Sequence, residues 1–181
     1  MRILLSNDDG IGAHGFTVLE KIAAALSDDV WVAAPETEQS GAGHSLTLIR
    51  PLRVRHINER RLAIDGTPTD CVLLALNDLF PDLKPDLLLS GVNRGSNLAD
   101  DVTYSGTVAA ALEGTILGIS SIAISQVGQA SQGRGQNDAV TFGWDTSCRV
   151  AWRIADRVLT AGLPDDILLN VNVPVDPVHG V

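Results

Sequence analysis

Short apolar runs alternate with amphipathic stretches along almost the whole chain. The apolar runs predict strands, whereas apolar residues spaced three and four apart predict helices. Residues 14–26 give the clearest helical pattern, with Val18, Leu19, Ile22 and Leu26 on one face. The pattern therefore predicts strands and helices in alternation.

The predicted elements follow one another closely. Strands are predicted at residues 3–5, 30–34, 52–57, 61–64, 86–90, 119–125 and 167–173. Helices are predicted at residues 14–26, 67–79, 105–117 and 144–161. The two strands around position 60 predict a hairpin, because no helix separates them. Residues 127–138, which are rich in Gly and Gln, predict a weakly packed loop.

The order of these elements predicts the fold class. The run at residues 86–90 is apolar through its middle, as expected of a strand that helices cover on both faces. Repeated strand-helix-strand units with such strands are typical of a doubly wound sheet. We therefore predict an α/β fold with a mostly parallel sheet, forming one domain over residues 1–181.

Composition and charge narrow the classes of function. The chain has 181 residues, 45% of them apolar, which is enough for one hydrophobic core. With 13 basic and 22 acidic residues the net charge is −9, which gives no electrostatic reason to bind a nucleic-acid polymer or an anionic membrane. The segment before Asp8 is too short for a signal peptide, so a cytoplasmic location is predicted.

The fold class also predicts where a ligand binds. In a doubly wound sheet, ligands lie beyond the carboxyl ends of the strands. This rule selects the loops at residues 7–15, 35–47, 91–104 and 126–138. The first three contain nearly all the polar residues that are unusual for their positions.

Asp8 and Asp9 directly follow the first strand. Two adjacent carboxylates at the end of a buried strand are costly unless a positive charge neutralises them, and no Lys or Arg lies nearby in sequence. A divalent cation would neutralise them, although one Asp could instead cap the following helix. Ser40 and Asn93 add neutral oxygen ligands, and an all-oxygen set suits Mg, Mn or Ca.

Ser105, Gly106 and Thr107 open the predicted helix at residues 105–117. A hydroxyl at this position is an ordinary helix cap. The same start, facing the acidic loops, would also cradle a phosphate at the positive end of the helix dipole. His14 and His44 lie in the site loops, where we interpret them as polar loop residues rather than general acids.

The glycines at positions 10, 12 and 15 match a dinucleotide-binding fingerprint after a strand. Asp8 and Asp9 argue against that function, because they would stand where a pyrophosphate must approach. A dinucleotide-binding Rossmann domain and a non-catalytic nucleotide-binding protein nevertheless remain alternatives.

Five motifs in order resemble the survival protein E (SurE) family. They are Asn7-Asp8-Asp9-Gly10, the loop from Ser40 to Thr47, Gly66 to Cys71, Ser90 to Asn97, and Tyr104-Ser105-Gly106-Thr107. That family comprises stationary-phase survival phosphatases that act as 5′/3′-nucleotidases. The resemblance covers residues 1 to about 174.

The resemblance implies a Rossmann-like domain that hydrolyses nucleoside 5′- and 3′-monophosphates and assembles as a homodimer or homotetramer. The implied ligands of one divalent cation are Asp8, Asp9, Ser40 and Asn93. The implied phosphate and substrate contacts are Asn97, Ser105, Gly106 and Thr107. Asp8 and Asp9 would be the catalytic residues, with water as a more plausible nucleophile than Asp8.

Family chains usually continue for several tens of residues beyond the strand that corresponds to residues 167–173. This sequence ends at Val181. We therefore expect the C-terminal extension of the family to be missing here, together with any oligomer contact or catalytic residue that it supplies.

Overall fold

A mixed sheet of seven strands lies at the centre of the protein. The computed structural model describes residues 1–80, 82, 84–130 and 140–174. The described residues form nine strands, of which β7 and β8 pair separately from the large sheet. They are β1 (Arg2–Ser6), β2 (Asp29–Pro35), β3 (Val54–Asn58), β4 (Arg61–Ile64), β5 (Leu87–Arg94), β6 (Ser121–Gln126), β7 (Gly128–Ala130), β8 (Val140–Phe142) and β9 (Leu168–Val173). The sheet order is β3-β4-β2-β1-β5-β6-β9, and only the β3–β4 pair is antiparallel.

Helices cover both faces of this sheet. They are α1 (His14–Ala24), α2 (Pro68–Leu74), α3 (Asp101–Tyr104), α4 (Gly106–Ile116) and α5 (Trp144–Ala161), with a π-helical turn at Ala75–Leu79 after α2. The predicted α/β fold with a doubly wound, mostly parallel sheet is thus confirmed. No helix in the described part of the chain is both long and apolar enough to cross a membrane.

Alternating side chains of β1 belong to two different hydrophobic clusters. Ile3 and Leu5 pack against α1 and α5 on one face. Leu4 packs against α2 and α4 on the other face, and all three side chains are fully buried. Because successive strand residues point to opposite faces, a strand covered on both sides is apolar at every position. This packing explains the continuous apolar runs in the sequence.

The sheet changes its winding direction between β1 and β5. The chain leaves β1 through α1 to β2 on one side, whereas β5 continues through α4 to β6 on the other side. Such a switch point leaves a crevice beyond the carboxyl ends of the two strands. Ser6 is paired with Ser90 at this edge, and the loops that follow both strands open into the crevice.

The structure extends β5 beyond the predicted boundary at residue 90. The strand continues to Arg94, with an irregularity between Ser90 and Asn93 where the pairing with β6 shifts. A Cβ atom at Gly91 would overlap the carbonyl oxygen of Ile124, so glycine lets the two backbones stay together. The predicted loop at 91–104 therefore begins later and also contains the short helix α3.

Two other predicted segments differ from the structure. The helix predicted over residues 67–79 is α2 followed by the π-helical turn, and Thr67 caps its start as predicted, with Asp70 completing a capping box. The loop predicted at residues 127–138 begins with β7, which pairs with β8 in a two-stranded ribbon. Residues 131–138 of that predicted loop lie outside the described part of the chain.

Candidate active site

Asp8 lies beneath the N-terminus of α4. Its side chain is almost completely buried, and the Thr107 hydroxyl donates a hydrogen bond to its Oδ1 atom. A Cβ atom at Gly106 would lie 2.7 Å from the Cβ of Asp8, so the first residue of α4 must be small. The positive end of the helix dipole stabilises an anion at this position. Asp8 thus contacts the start of α4, whereas α1, the helix that follows it in sequence, begins without a side-chain cap.

The environment of Asp8 opposes its ionisation. Its pKa is raised to about 6, chiefly by burial and also by the charge of Asp9, whereas the hydrogen bonds from Thr107 act in the opposite direction. None of the ion pairs among the described residues involves Asp8. An ionised carboxylate with this burial and this acidic neighbour attracts a cation that approaches it from the crevice.

Asp9 connects the loop after β1 with the end of β5. Its carboxylate accepts a hydrogen bond of 3.2 Å from the backbone amide of Arg94. Burial raises the pKa of Asp9, the amide and charge of Arg94 lower it, and the charge of Glu38 raises it. This contact brings Asn93, the neighbour of Arg94, to the same edge as the acidic pair.

The side-chain amide of Asn93 is oriented by its own loop. Its nitrogen donates to the carbonyl oxygen of Gly95 at 3.0 Å. The amide oxygen is therefore the end of the side chain that remains for a ligand, as a hard cation requires.

The third loop, after β2, also reaches the acidic pair. The backbone amide of Gln39 donates to the carbonyl oxygen of Asp8 at 2.7 Å, and Ser40 follows directly. The Ser40 hydroxyl donates to Oε1 of Glu38 at 2.8 Å. The loops that carry the four predicted metal ligands are thus joined by backbone hydrogen bonds to Asp8 and Asp9. The assignment of the four as ligands stays a prediction.

The predicted phosphate contacts lie around the start of α4. Ser105 is its N-cap, and its hydroxyl accepts from the amide of Val108 at 3.1 Å, which leaves its own proton to donate. The Thr107 hydroxyl, which is fully buried, donates to Asp8 here. Roles for Ser105, Gly106 and Thr107 in binding phosphate remain predictions.

Asn97 belongs to a polar network that the sequence analysis did not identify. Its side-chain nitrogen donates to Ser125 at 2.8 Å, and its backbone amide donates to Asn172 at 2.8 Å. Asn170 donates to its carbonyl oxygen at 2.9 Å. Two asparagines two positions apart in a strand share one face, and this spacing in β9 is the signal that could have revealed the network.

Both site-loop histidines have contacts away from Asp8. His44 pairs with the buried Glu113 of α4 at 2.8 Å, which anchors the loop that contains Ser40. The ring of His14 packs against Trp144 with 5.3 Å between centroids. His44 lies in a loop as predicted, whereas His14 is the first residue of α1 and lines a cavity together with Asp9. The interpretation of both histidines as polar residues and not general acids stays a prediction.

The glycines of the dinucleotide-like motif have packing roles. A Cβ atom at Gly15 would overlap the carbonyl oxygen of Val92, so glycine allows α1 to lie directly on β5. Gly10 adopts φ 93° and packs against the backbone of Thr37. A Cβ atom at Gly12 would meet no atom within 4 Å beyond its neighbours in the chain. Packing thus explains two of the three glycines without a dinucleotide.

The donor set fits a hard divalent cation. Its side chains offer two carboxylates, one hydroxyl and one amide oxygen. Close by, the amide oxygen of Asn7 and the hydroxyls of Ser6 and Ser90 are buried without a hydrogen-bond partner among the described residues. The described part of the chain has no group of three His, Cys, Asp or Glu residues that could hold a metal, so a zinc-type cluster is not formed there. Neutral oxygens beside two carboxylates suit Mg, Mn or Ca.

Comparison with known proteins connects this site to one family. The family model described as "Survival protein SurE" matches residues 3–181. A protein of Paramagnetospirillum magneticum named 5'-nucleotidase SurE is 57% identical over 174 residues, which are 96% of this chain and 64% of that protein. A Caulobacter vibrioides protein of the same name is 54% identical over 181 residues, 100% of this chain and 67% of that protein.

The similarity extends to three dimensions. The crystal structure of the SurE protein from Aquifex aeolicus superposes with a TM-score of 0.84 at 42% sequence identity, covering 97% of this chain and 67% of that chain. The chain spans about two thirds of the length of the curated relatives that it matches, 64% of the Paramagnetospirillum protein and 67% of the Caulobacter protein.

Proposed function

This chain belongs to the survival protein SurE family, and we propose that it is a divalent-metal-dependent phosphatase that hydrolyses nucleoside 5′- and 3′-monophosphates. The name of its relatives, 5'-nucleotidase SurE, supports the 5′ activity. The observation that carries the proposal is the buried Asp8, beside Asp9 at the switch point of the sheet and without a basic partner among the described residues.

We assign the cation to Asp8, Asp9, Ser40 and Asn93. When bound there, a divalent cation would neutralise charge on the phosphoryl oxygens and lower the pKa of a coordinated water. Asp8 and Asp9 supply the negative charge that holds it, whereas Ser40 and Asn93 complete the set with neutral oxygens. The family to which the chain belongs supports this dependence on a metal.

The start of α4 is the proposed phosphate-binding element. The positive end of its dipole and the hydroxyl proton of Ser105 both favour an anion. Gly106 keeps this end of the helix free of side-chain bulk. Thr107 contributes by holding Asp8, and Asn97 contributes by fixing the loop after β5 against β6 and β9.

Water is the proposed nucleophile. Asp8 has an oxygen engaged by Thr107, and the residue is only 5% exposed, which leaves it poorly placed to attack a phosphorus atom. A positioned water attacking in line with the leaving oxygen needs no movement of the buried carboxylate.

Two further predictions remain proposals. We expect a homodimer or homotetramer and a cytoplasmic location.

A phosphate-release assay tests the proposed function. The purified protein is incubated with the 5′- and 3′-monophosphates of the four common ribonucleosides, first with EDTA and then with Mg²⁺, Mn²⁺ or Ca²⁺ in excess. We expect release that EDTA abolishes and a divalent cation restores. An Asp8→Asn protein prepared in parallel gives the background from contaminating phosphatases. Release no greater than this background would overturn the proposal, and nucleotide binding without release would favour the non-catalytic alternative.

A further inference from the structure

Glu38 lies in the loop after β2 and is hydrogen-bonded to one of the proposed cation ligands. Its Oε1 atom accepts the proton of the Ser40 hydroxyl at 2.8 Å. We propose that Glu38 is a positioning residue that sets the cation affinity of the site through Ser40. This inference rests on the proposed function, because it requires the cation site.

The direction of this hydrogen bond matters for a cation. A hydroxyl has one proton and two lone pairs, and a carboxylate can only accept. When Ser40 gives its proton to Glu38, its lone pairs are left for a cation. Without an acceptor at position 38, the hydroxyl would rotate, and its proton could point towards the cation. Residues that orient metal ligands in this way typically change metal affinity about 10–100-fold when mutated.

The backbone around Glu38 is held against the acidic loop on both sides. A Cβ atom at Gly10 would lie 3.1 Å from the carbonyl carbon of Thr37 and 3.2 Å from the nitrogen of Glu38, so the two loops are in close contact. On the other side of Glu38, the amide of Gln39 donates to the carbonyl oxygen of Asp8 at 2.7 Å. Although the Glu38 side chain is exposed, the backbone from which it extends is fixed relative to the site.

Glu38 also acts on the acidic pair through its charge. Together with Asp9 and Arg94 it lines a small cavity at the mouth of the site. A third carboxylate on the wall of this cavity adds to the attraction for a cation, so both the hydrogen bond and the charge of Glu38 favour cation binding.

Glu36 provides an internal control in the same loop. It is two positions away, and its Oε1 atom accepts from Nε of Arg55 at 2.7 Å. That contact points to the β3 side of the sheet, and Glu36 does not contribute to the pKa of Asp8 or Asp9. Removing its side chain takes away the same charge and volume without touching Ser40.

The experiment measures Mn²⁺ binding calorimetrically without nucleotide, so that it does not depend on turnover. We expect Glu38→Ala to weaken Mn²⁺ binding about 10–100-fold. Glu38→Gln should have an intermediate effect, because its amide oxygen still accepts from Ser40 while the charge is lost. Glu36→Ala should stay within about twofold of the wild type. Circular dichroism of each variant checks that the fold is intact.

A double-mutant cycle tests whether Glu38 acts through Ser40. In a Ser40→Ala background, the effect of Glu38→Ala on the Mn²⁺ affinity should fall at least about threefold, since only the charge effect remains. Equal effects in both backgrounds would overturn the proposal, as would a Glu38→Ala affinity no lower than that of Glu36→Ala. With either of these two results, binding of Mn²⁺ by the wild type would still support the proposed function. A wild-type protein that does not bind Mn²⁺ would overturn this inference and the assigned cation site together.

Discussion

The side-chain hydroxyl of Thr107 donates a hydrogen bond to the carboxylate of Asp8, although 99 positions separate the two residues in sequence. Asp8 lies two residues after the end of β1. Thr107 belongs to the first turn of α4, which covers the face of the sheet opposite to α1. Thr107 is fully buried and Asp8 nearly so. The orientation of the acidic pair therefore depends on how α4 is packed, and not only on the loop that carries it.

Thr107→Val is expected to lower kcat/KM about 10–100-fold. The substitution conserves shape but removes the hydroxyl that, among the described residues, donates to the Asp8 side chain. A hydrogen bond to a charged group contributes about 1.5–3 kcal/mol. Thr107→Ser, which keeps the donor, should retain most of the activity. Steady-state phosphate release with the preferred nucleotide is the measurement.

Thr115 supplies the matched control for this substitution. It lies on the same helix, is also buried, and donates to the carbonyl oxygen of Ala111 at 3.0 Å. Thr115→Val should change stability more than activity. Equal losses of activity in Thr107→Val and Thr115→Val would show that a general effect of α4, and not the contact with Asp8, is responsible.

The stability of the cation-free protein is expected to fall as the pH rises from about 4 to about 6. The pKa of Asp8 is raised from 3.8 to about 6 on folding, so the folded state binds more protons than the unfolded state in this window. The free energy of unfolding then decreases with pH, by at most about 3 kcal/mol from this group. Chemical unfolding in EDTA at several pH values measures this change.

Comparison with Asp8→Asn isolates the contribution of Asp8 from those of the other carboxylates. In EDTA at pH 7 the variant should be more stable than the wild type, whereas the two should converge near pH 4. Adding Mn²⁺ at pH 7 should stabilise the wild type and have little effect on the variant. A difference that does not change with pH would contradict the shifted pKa.

Most of the fold could be predicted because its physical signals are local. Strands buried on both faces are apolar at consecutive positions, as at Ile3–Leu5, and Pro68 after Thr67 marks the start of a helix. The extension of β5 could not be predicted in this way. Glycine is typical of turns, so Gly91 indicated the start of a loop. In the structure its missing side chain instead lets β5 pass close to the carbonyl oxygen of Ile124.

The candidate site was predictable only in part. Adjacent acids after a strand indicate a cation site by their local sequence, and the fold class predicts that Asn93 lies at the same edge. The partners that hold these residues are long-range. The hydrogen bonds from Thr107 to Asp8 and from Asn97 to Ser125 depend on how α4 and β6 pack. No spacing of residues in the sequence predicts that packing.

Asp8→Asn is expected to abolish phosphate release while leaving the protein folded. The change removes one anionic cation ligand but keeps an oxygen that can accept from Thr107. Loss of such a stabilising charge should cost at least about 100-fold in rate. Asp156→Asn, at an exposed position on α5, is the control and should leave the rate unchanged. Activity of Asp8→Asn within a few-fold of the wild type at saturating Mn²⁺ would contradict the catalytic assignment.

Gly15→Ala is expected to destabilise the protein by at least about 2 kcal/mol, whereas Gly12→Ala should change its stability by no more than about 0.5–1 kcal/mol. A Cβ atom at Gly15 would overlap the carbonyl oxygen of Val92, and neither backbone can move away without separating α1 from β5. At Gly12 the added methyl group meets no atom within 4 Å. Urea unfolding of both variants measures the difference.

The same pair of variants tests the interpretation of the glycine motif. If Gly12 contacted a pyrophosphate, as in a dinucleotide site, Gly12→Ala would weaken nucleotide binding without changing stability. We expect instead that Gly12→Ala keeps KM for nucleoside monophosphates within about twofold of the wild type, which corresponds to less than about 0.5 kcal/mol in binding free energy. Because Val92 is two positions before Arg94, which holds Asp9, Gly15→Ala should lower kcat as well as stability. A stable and fully active Gly15→Ala protein would show that α1 and β5 can separate without disturbing the acidic pair.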